Sequence, residues 1–206
     1  MFKKWFYISC CMLFFTGCSL QQVLPAQAQY DLSVTKSEKI YKQSPCKKYV
    51  LKVRALDENV LTASDSIYYM VGKYKINSYT ESKWSQMPGH SINALVIQSL
   101  RRSNIFEDVQ SKRSFANADL ILQYDVEDFM QYFSEDLKSS YVKVKIHFSL
   151  IDPKDGRLLH SITQSERVEA SSLDAFGGVK ALSTALGDVL DKNVQWVYDM
   201  CQKERR

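Results

Sequence analysis

Val142, Val144, Ile146, Phe148 and Leu150 alternate without a break with Lys143, Lys145, His147 and Ser149, and no other pattern restricts the fold of this chain as tightly. Side chains of an extended strand point alternately to its two faces, so a polarity period of two makes a strand with one dry face and one wet face. Leu120, Leu122, Tyr124 and Val126 repeat the pattern against Gln123, Asp125 and Glu127. Asp152-Pro153-Lys154-Asp155-Gly156 then supplies turn chemistry, with Gly156 free to take a positive φ, and opens a hairpin into a strand over Arg157 to Val168. A sheet of such strands must hide one face only, which calls for helices on that side.

Two segments can provide that cover. Ile92, Leu95, Val96 and Leu100 recur at helical spacing after Trp84 and Pro88, and Arg101, Arg102, Ser103 and Asn104 close the run. After Ser171-Ser172 a last helix runs to about Gln202, with Leu182, Leu186, Val189, Leu190 and Val197 on one stripe; Gly177 and Gly178 weaken its start. Upstream, Tyr49, Leu51, Val53 and Ala55 alternate as a half-buried strand. Ile67 to Val71 and Tyr74 to Tyr79 are β-rich runs on either side of Gly72-Lys73, the signature of a hairpin. Phe106 and Val109 return the chain to the sheet. The expected fold is α+β, a largely antiparallel sheet of about five to six strands with two helices packed on one face.

The start of the chain bears on location. Lys3 and Lys4 precede an apolar run from Trp5 to Phe15, too short for the ~20 residues that span a bilayer. The run ends in Leu13-Phe14-Phe15-Thr16-Gly17-Cys18-Ser19, which resembles a bacterial lipobox. Residues 1–17 would then be a signal peptide, and Cys18 the acylated first residue of the mature protein. Ser19, in place of Asp, resembles the sorting signal for the outer membrane. One acyl chain binds membranes only marginally, whereas the full set on a bacterial lipoprotein attaches it permanently. Ordinary secretory cleavage after Ala26-Gln27-Ala28 is the alternative. Loss of the leader lowers the net charge from +4 to +2, and no basic tract suggests nucleic acid.

Of the five cysteines, Cys10 and Cys11 would leave with such a leader and Cys18 would be acylated. Cys46 and Cys201 remain in an oxidising compartment, where a disulfide would contribute roughly 4 to 5 kcal/mol by closing a long loop. Two free thiols are the alternative. Residues 18–45 are polar and aperiodic, which suggests a flexible tether reaching at most ~85 Å, with one domain over 46–206.

The lipobox, the strand at Tyr49–Ala55, the Ile67-Tyr68-Tyr69 run, the Trp84-x-x-x-Pro88 step, Val126-Glu127-Asp128-Phe129 ending a strand, and the long last helix together resemble the ABC-type transport auxiliary lipoproteins, the PqiC-like family. In that family the tyrosine run often continues into an arginine, where this chain has Met70. The resemblance implies an outer-membrane lipoprotein on the periplasmic face. It would dock an MCE-domain periplasmic protein and, through it, an inner-membrane transport complex in lipid transport. A homo-oligomer fits the same expectation. Tyr68, Tyr74, Tyr79 and Trp84 are the candidates for partner or lipid contact, since Tyr and Trp favour interfaces; the alternative has Tyr69 and Trp84 packing the first helix.

No catalytic constellation is visible, and the expectation is a protein that is not an enzyme. His90, His147 and His160 are scattered, with no metal-ligand spacing and no nucleophile motif. Asp125, Glu127 and Asp128, with Glu135 and Asp136 nearby, suggest a solvated strand end more than a calcium site. No cofactor is expected beyond the covalent diacylglycerol and N-acyl chain on Cys18. A rival reading is a lipopolysaccharide-assembly lipoprotein that binds an outer-membrane β-barrel. A periplasmic hydrolase or glycan-binding module is a further one.

Overall fold

The computed structural model describes residues 26–34, 39–56 and 59–203; the leader and Cys18 lie outside them. Eight strands and two helices follow in the order β1 (Ala28–Tyr30), β2 (Val50–Ala55), β3 (Ser66–Val71), β4 (Lys75–Trp84), α1 (Pro88–Ser103), β5 (Asp108–Ser111), β6 (Leu120–Phe133), β7 (Ser140–Ile151), β8 (Leu158–Glu169) and α2 (Ala175–Lys203). The fold is α+β, as its sequence periodicities require.

β6 is the spine of the sheet. One edge pairs antiparallel with β7 from Ile121↔Ile151 to Phe133↔Ser140, and β8 extends that side. The other edge is forked. β2 runs parallel to the first part of β6, from Leu51↔Leu120 to Ala55↔Tyr124, and carries β5 beyond it. β3 runs parallel to the end of β6, from Tyr69↔Gln131 to Val71↔Phe133, and carries β4 and then β1. Between the two branches β6 needs other partners for its backbone. The amide of Leu56 donates to the Tyr124 carbonyl at 2.8 Å, and the Asn59 side chain donates to the Val126 carbonyl at 2.5 Å.

Both helices lie on one face, α1 against β2 and β5, α2 across β6, β7 and β8. Leu51, Val53, Leu122, Val142, Val144, Ile146 and Phe148 meet Ile92, Val96, Leu100, Leu182, Leu186, Val189 and Val197 in a core from which water is excluded. Each such side chain contributes about 1.5–3 kcal/mol by burial. Asp174 starts α2, its carboxylate accepting from the Gly177 amide at 2.8 Å and the Ser172 hydroxyl at 2.6 Å. Cys46 and Cys201 are disulfide-bonded, with Cα atoms 5.6 Å apart, tying the turn at Pro45–Lys48 to the end of α2.

Three expectations change. The sheet has eight strands and is mixed, because β1–β4, β2–β5, β2–β6 and β3–β6 are parallel pairs. Hairpins announce themselves by their turns, whereas strands joined through crossovers leave no local mark. Val126-Glu127-Asp128-Phe129 does not end a strand: β6 continues to Phe133 through a bulge between Val126 and Asp128. The tether is also shorter than 18–45. Its residues 28–30 form β1, and Tyr41 stacks on Tyr198 at 3.8 Å while its hydroxyl donates to Gln195 at 2.9 Å.

Candidate functional site

The bulge in β6 decides what the helix-free face displays. One extra residue opposite a ladder position shifts the alternation, so side chains beyond it exchange faces. Leu122, Tyr124 and Val126 point to the helices before it, and Phe129, Gln131 and Phe133 do so after it. Asp128, Met130 and Tyr132 are thereby sent to the helix-free face. There the Tyr132 ring stacks on Tyr141 of β7 at 5.2 Å and 9°, and the Arg167 guanidinium of β8 lies 3.6 Å over the Tyr141 ring. On the other side the register places Met70 of β3 beside Tyr132, and Ile76 of β4 beside Met70. Tyr68 falls in the next row. The result is a lateral row, Ile76–Met70–Tyr132–Tyr141–Arg167, across five strands of a face over which no helix packs among the described residues.

Polar groups fix this row from below. Asp128 is only 7% exposed. Both its oxygens accept from the Tyr132 hydroxyl, at 2.8 and 2.7 Å, and Lys143 stands 3.3 Å from one of them. Burial, with the bonded Asp128 carboxylate, holds the Tyr132 hydroxyl well above its ordinary pKa, so it remains a donor. Glu127 pairs with Lys145 at 2.6 Å. Glu127 and Asp128 of the acidic cluster are therefore mid-strand and matched by lysines, whereas Glu135 and Asp136 lie in the turn that follows β6. Among the described residues no group of three His, Cys, Asp or Glu is placed to hold a metal ion. His90, His147 and His160 stand on α1, β7 and β8 and do not converge.

The four candidate aromatics separate. Tyr68 lies on the helix-free face, and Tyr74 is 93% exposed at the turn between β3 and β4. Trp84 is 2% exposed and packs on Phe129, so it belongs to the core and presents no contact surface. Tyr79 faces the helices: its ring meets Tyr69 at 4.7 Å, and its hydroxyl donates to Gln131 at 2.9 Å. Sequence reasoning missed Met70, Tyr132, Tyr141 and Arg167. Tyr141 was legible as the position before Val142, in phase with the wet side of that strand.

A cavity of about 210 Å³ opens at the opposite end of the sheet beside the disulfide, with Leu120, Leu150 and Met200 in its lining and Lys154 and Arg157 around it. Its carboxylates are occupied, Asp119 by the Val50 amide and Asp152 by the Lys154 amide.

Solved structures share this architecture. A crystal structure of a Xanthomonas campestris protein of the DUF330 family model aligns at a TM-score of 0.74 with 18% identity, covering 86% of this chain and 99% of that one. The chain shares the fold of that protein. A second crystal structure, of an uncharacterized protein, aligns at 0.60 with 12% identity over 84% of this chain and 99% of its own. A lipoprotein from Neisseria meningitidis reaches only 0.30, at 12% identity over 73% of this chain and 97% of its own, too distant to bear on it. No protein-family model matches the sequence, and no curated protein matches it. Within this shared fold, the helix-free face of this chain is where its own aromatic row is displayed. No helix among the described residues is long and apolar enough to cross a membrane.

Proposed function

We propose that this chain is a lipid-anchored adaptor on the periplasmic face of the outer membrane. The diacylglycerol and N-acyl chain on Cys18 hold it there, and its helix-free face docks an MCE-domain protein of an ABC-type lipid-transport system. It works by binding and not by turnover. One observation carries the reading: Met70, Tyr132 and Tyr141 form an aromatic and apolar row on the sheet face over which no helix packs among the described residues, ordered by Asp128 and Arg167. Such a row suits a protein interface, because rigid aromatic rings give contact area at small entropic cost. The DUF330 fold, the fold of the family whose motifs the chain resembles, is consistent with the role.

The test is a crosslinking pull-down from envelope fractions with the native chain, Cys18→Ala and Tyr141→Ser. The native chain should fractionate with the outer membrane and recover an MCE-domain protein. Cys18→Ala should be released to the periplasm, and Tyr141→Ser should stay anchored yet lose the partner. Recovery of an outer-membrane β-barrel assembly factor in its place would replace the reading with the lipopolysaccharide-assembly one.

A further inference from the structure

Two turns stand side by side at one end of the sheet. Gly72-Lys73-Tyr74 closes β3 onto β4, residues 134–139 close β6 onto β7, and the Gly72 amide donates to the Phe133 carbonyl at 3.3 Å. Each presents a large apolar side chain outward: Tyr74, and Leu137, which is 53% exposed. Leu137 is held in the left-handed region at φ 56°, a conformation that costs a residue with a Cβ about 1–2 kcal/mol. The Ser134 hydroxyl maintains it by accepting from the amides of Lys138 and Ser139. Lys73, Lys75 and Lys138 surround the two tips against Glu135 and Asp136, for a net charge of +1. Ile76, 50% exposed, continues the apolar surface onto β4.

The opposite end also displays apolar side chains, Phe115 and Leu158, so exposure alone does not choose between the ends. The course of the chain does. β1 runs parallel to β4, with Ala28 beside Ser82, and the Gln27 side chain donates to the Thr80 carbonyl at 2.7 Å. The chain therefore enters the sheet from the side of the Tyr74 turn. Nine residue steps separate Cys18 from Gln27, a reach of at most ~30 Å when fully extended. Tyr74 lies about 20 Å ahead of Thr80 along β4. The β7–β8 turn lies behind and several strands across, more than ~30 Å away.

We infer that the β3–β4 and β6–β7 turns are the surface on which the domain rests against a phospholipid bilayer, with Tyr74 and Leu137 entering the headgroup region. The inference depends on acylation of Cys18, as proposed above. Tyrosine and leucine at the water boundary, flanked by lysines that keep their ammonium groups wet, match the chemistry of that zone.

Depth-dependent quenching tests this orientation. The acylated protein is reconstituted into vesicles of phosphatidylethanolamine and phosphatidylglycerol carrying bromine on shallow acyl positions, with Tyr74→Trp, Leu137→Trp, Phe115→Trp and Leu158→Trp compared. Trp84 and Trp196 are buried and give a constant background. The emission added at positions 74 and 137 should fall about twofold, and that at 115 and 158 should not change, as for side chains set at the headgroup boundary. Vesicle-bound protein quenched at 115 or 158, or at none of the four positions, overturns the orientation and leaves the anchor intact. Protein that does not float with the vesicles overturns the anchor, and the orientation with it.

Discussion

Replacing Gly178 by alanine should unsettle the junction between α2 and the β3–β4 branch, although alanine is the better helix former. A Cβ at position 178 would stand 2.1 Å from Gln131 Oε1, so the carboxamide must move by about 1 Å to reach van der Waals distance. Gln131 is fully buried, and both ends of its amide are engaged: Oε1 accepts from Tyr79 at 2.9 Å, and Nε2 donates to Ser140 at 2.8 Å. Displacement strands groups that each cost about 1–3 kcal/mol when buried unpaired, against a helix gain of roughly 1 kcal/mol. With both bonds lost, the balance is a loss of about 1–5 kcal/mol. For a chain of this size that lowers the urea midpoint by roughly 0.5–2 M. Urea titration followed by circular dichroism reads it directly. Shortening Gln131 to alanine should relieve the clash, so Gln131→Ala with Gly178→Ala should fall short of the sum of the single losses by at least about 1 kcal/mol. A Gly178→Ala variant as stable as the native chain, or strictly additive losses, would refute the reasoning.

Replacing Cys46 and Cys201 together by serine opens a loop with a sequence separation of 155 residues and should remove up to about 5 kcal/mol; the urea midpoint of the native chain should fall toward the variant's when a reductant is added. Asp174→Ala deletes the acceptor for the Gly177 amide and should cost about 1 kcal/mol in the same titration. The pH dependence of that cap has a definite sign. The Gly177 amide and the Ser172 hydroxyl hold the Asp174 carboxyl below its ordinary value, so its contribution is complete above the usual carboxylate range. It disappears as pH falls through the lowered value, and the native and Asp174→Ala curves should converge there.

The parts of the fold that were legible are those whose signal is local. Val142–Leu150 alternates along a strand buried on one face only, and Asp152–Gly156 forms its turn with Gly156 at φ 71°. The parallel pairing of β2 and β3 with β6 was illegible because it joins distant segments. β1 was illegible because three residues cannot display a period. Asp128, polar where the alternation of β6 called for an apolar residue, broke the pattern, and a phase shift in the middle of a strand reads like its end. Gly177 and Gly178 looked like a weak helix start. In the structure a Cβ on the first would strike the Ser172 backbone at 2.3 Å, and one on the second would strike Gln131. Trp84 and Tyr74 share an aromatic character that says nothing of which is buried. Tyr132 and Tyr141 became a site only when the bulge put them on one face.

With Cys18 acylated as proposed above, the pairing of β1 with β4 would give the membrane attachment two lengths. With β1 in place, nine residue steps lie between Cys18 and the first docked side chain, and a pull from the anchor acts along the strand, loading its hydrogen bonds in shear. If that short strand lets go, slack runs out through Tyr41, whose ring leaves Tyr198, and stops at Cys46, where the bond to Cys201 passes the load to the end of α2. The domain then hangs on 28 residue steps, up to ~95 Å of chain. A non-covalent latch and a covalent stop thus set a short and a long reach for the same anchored domain.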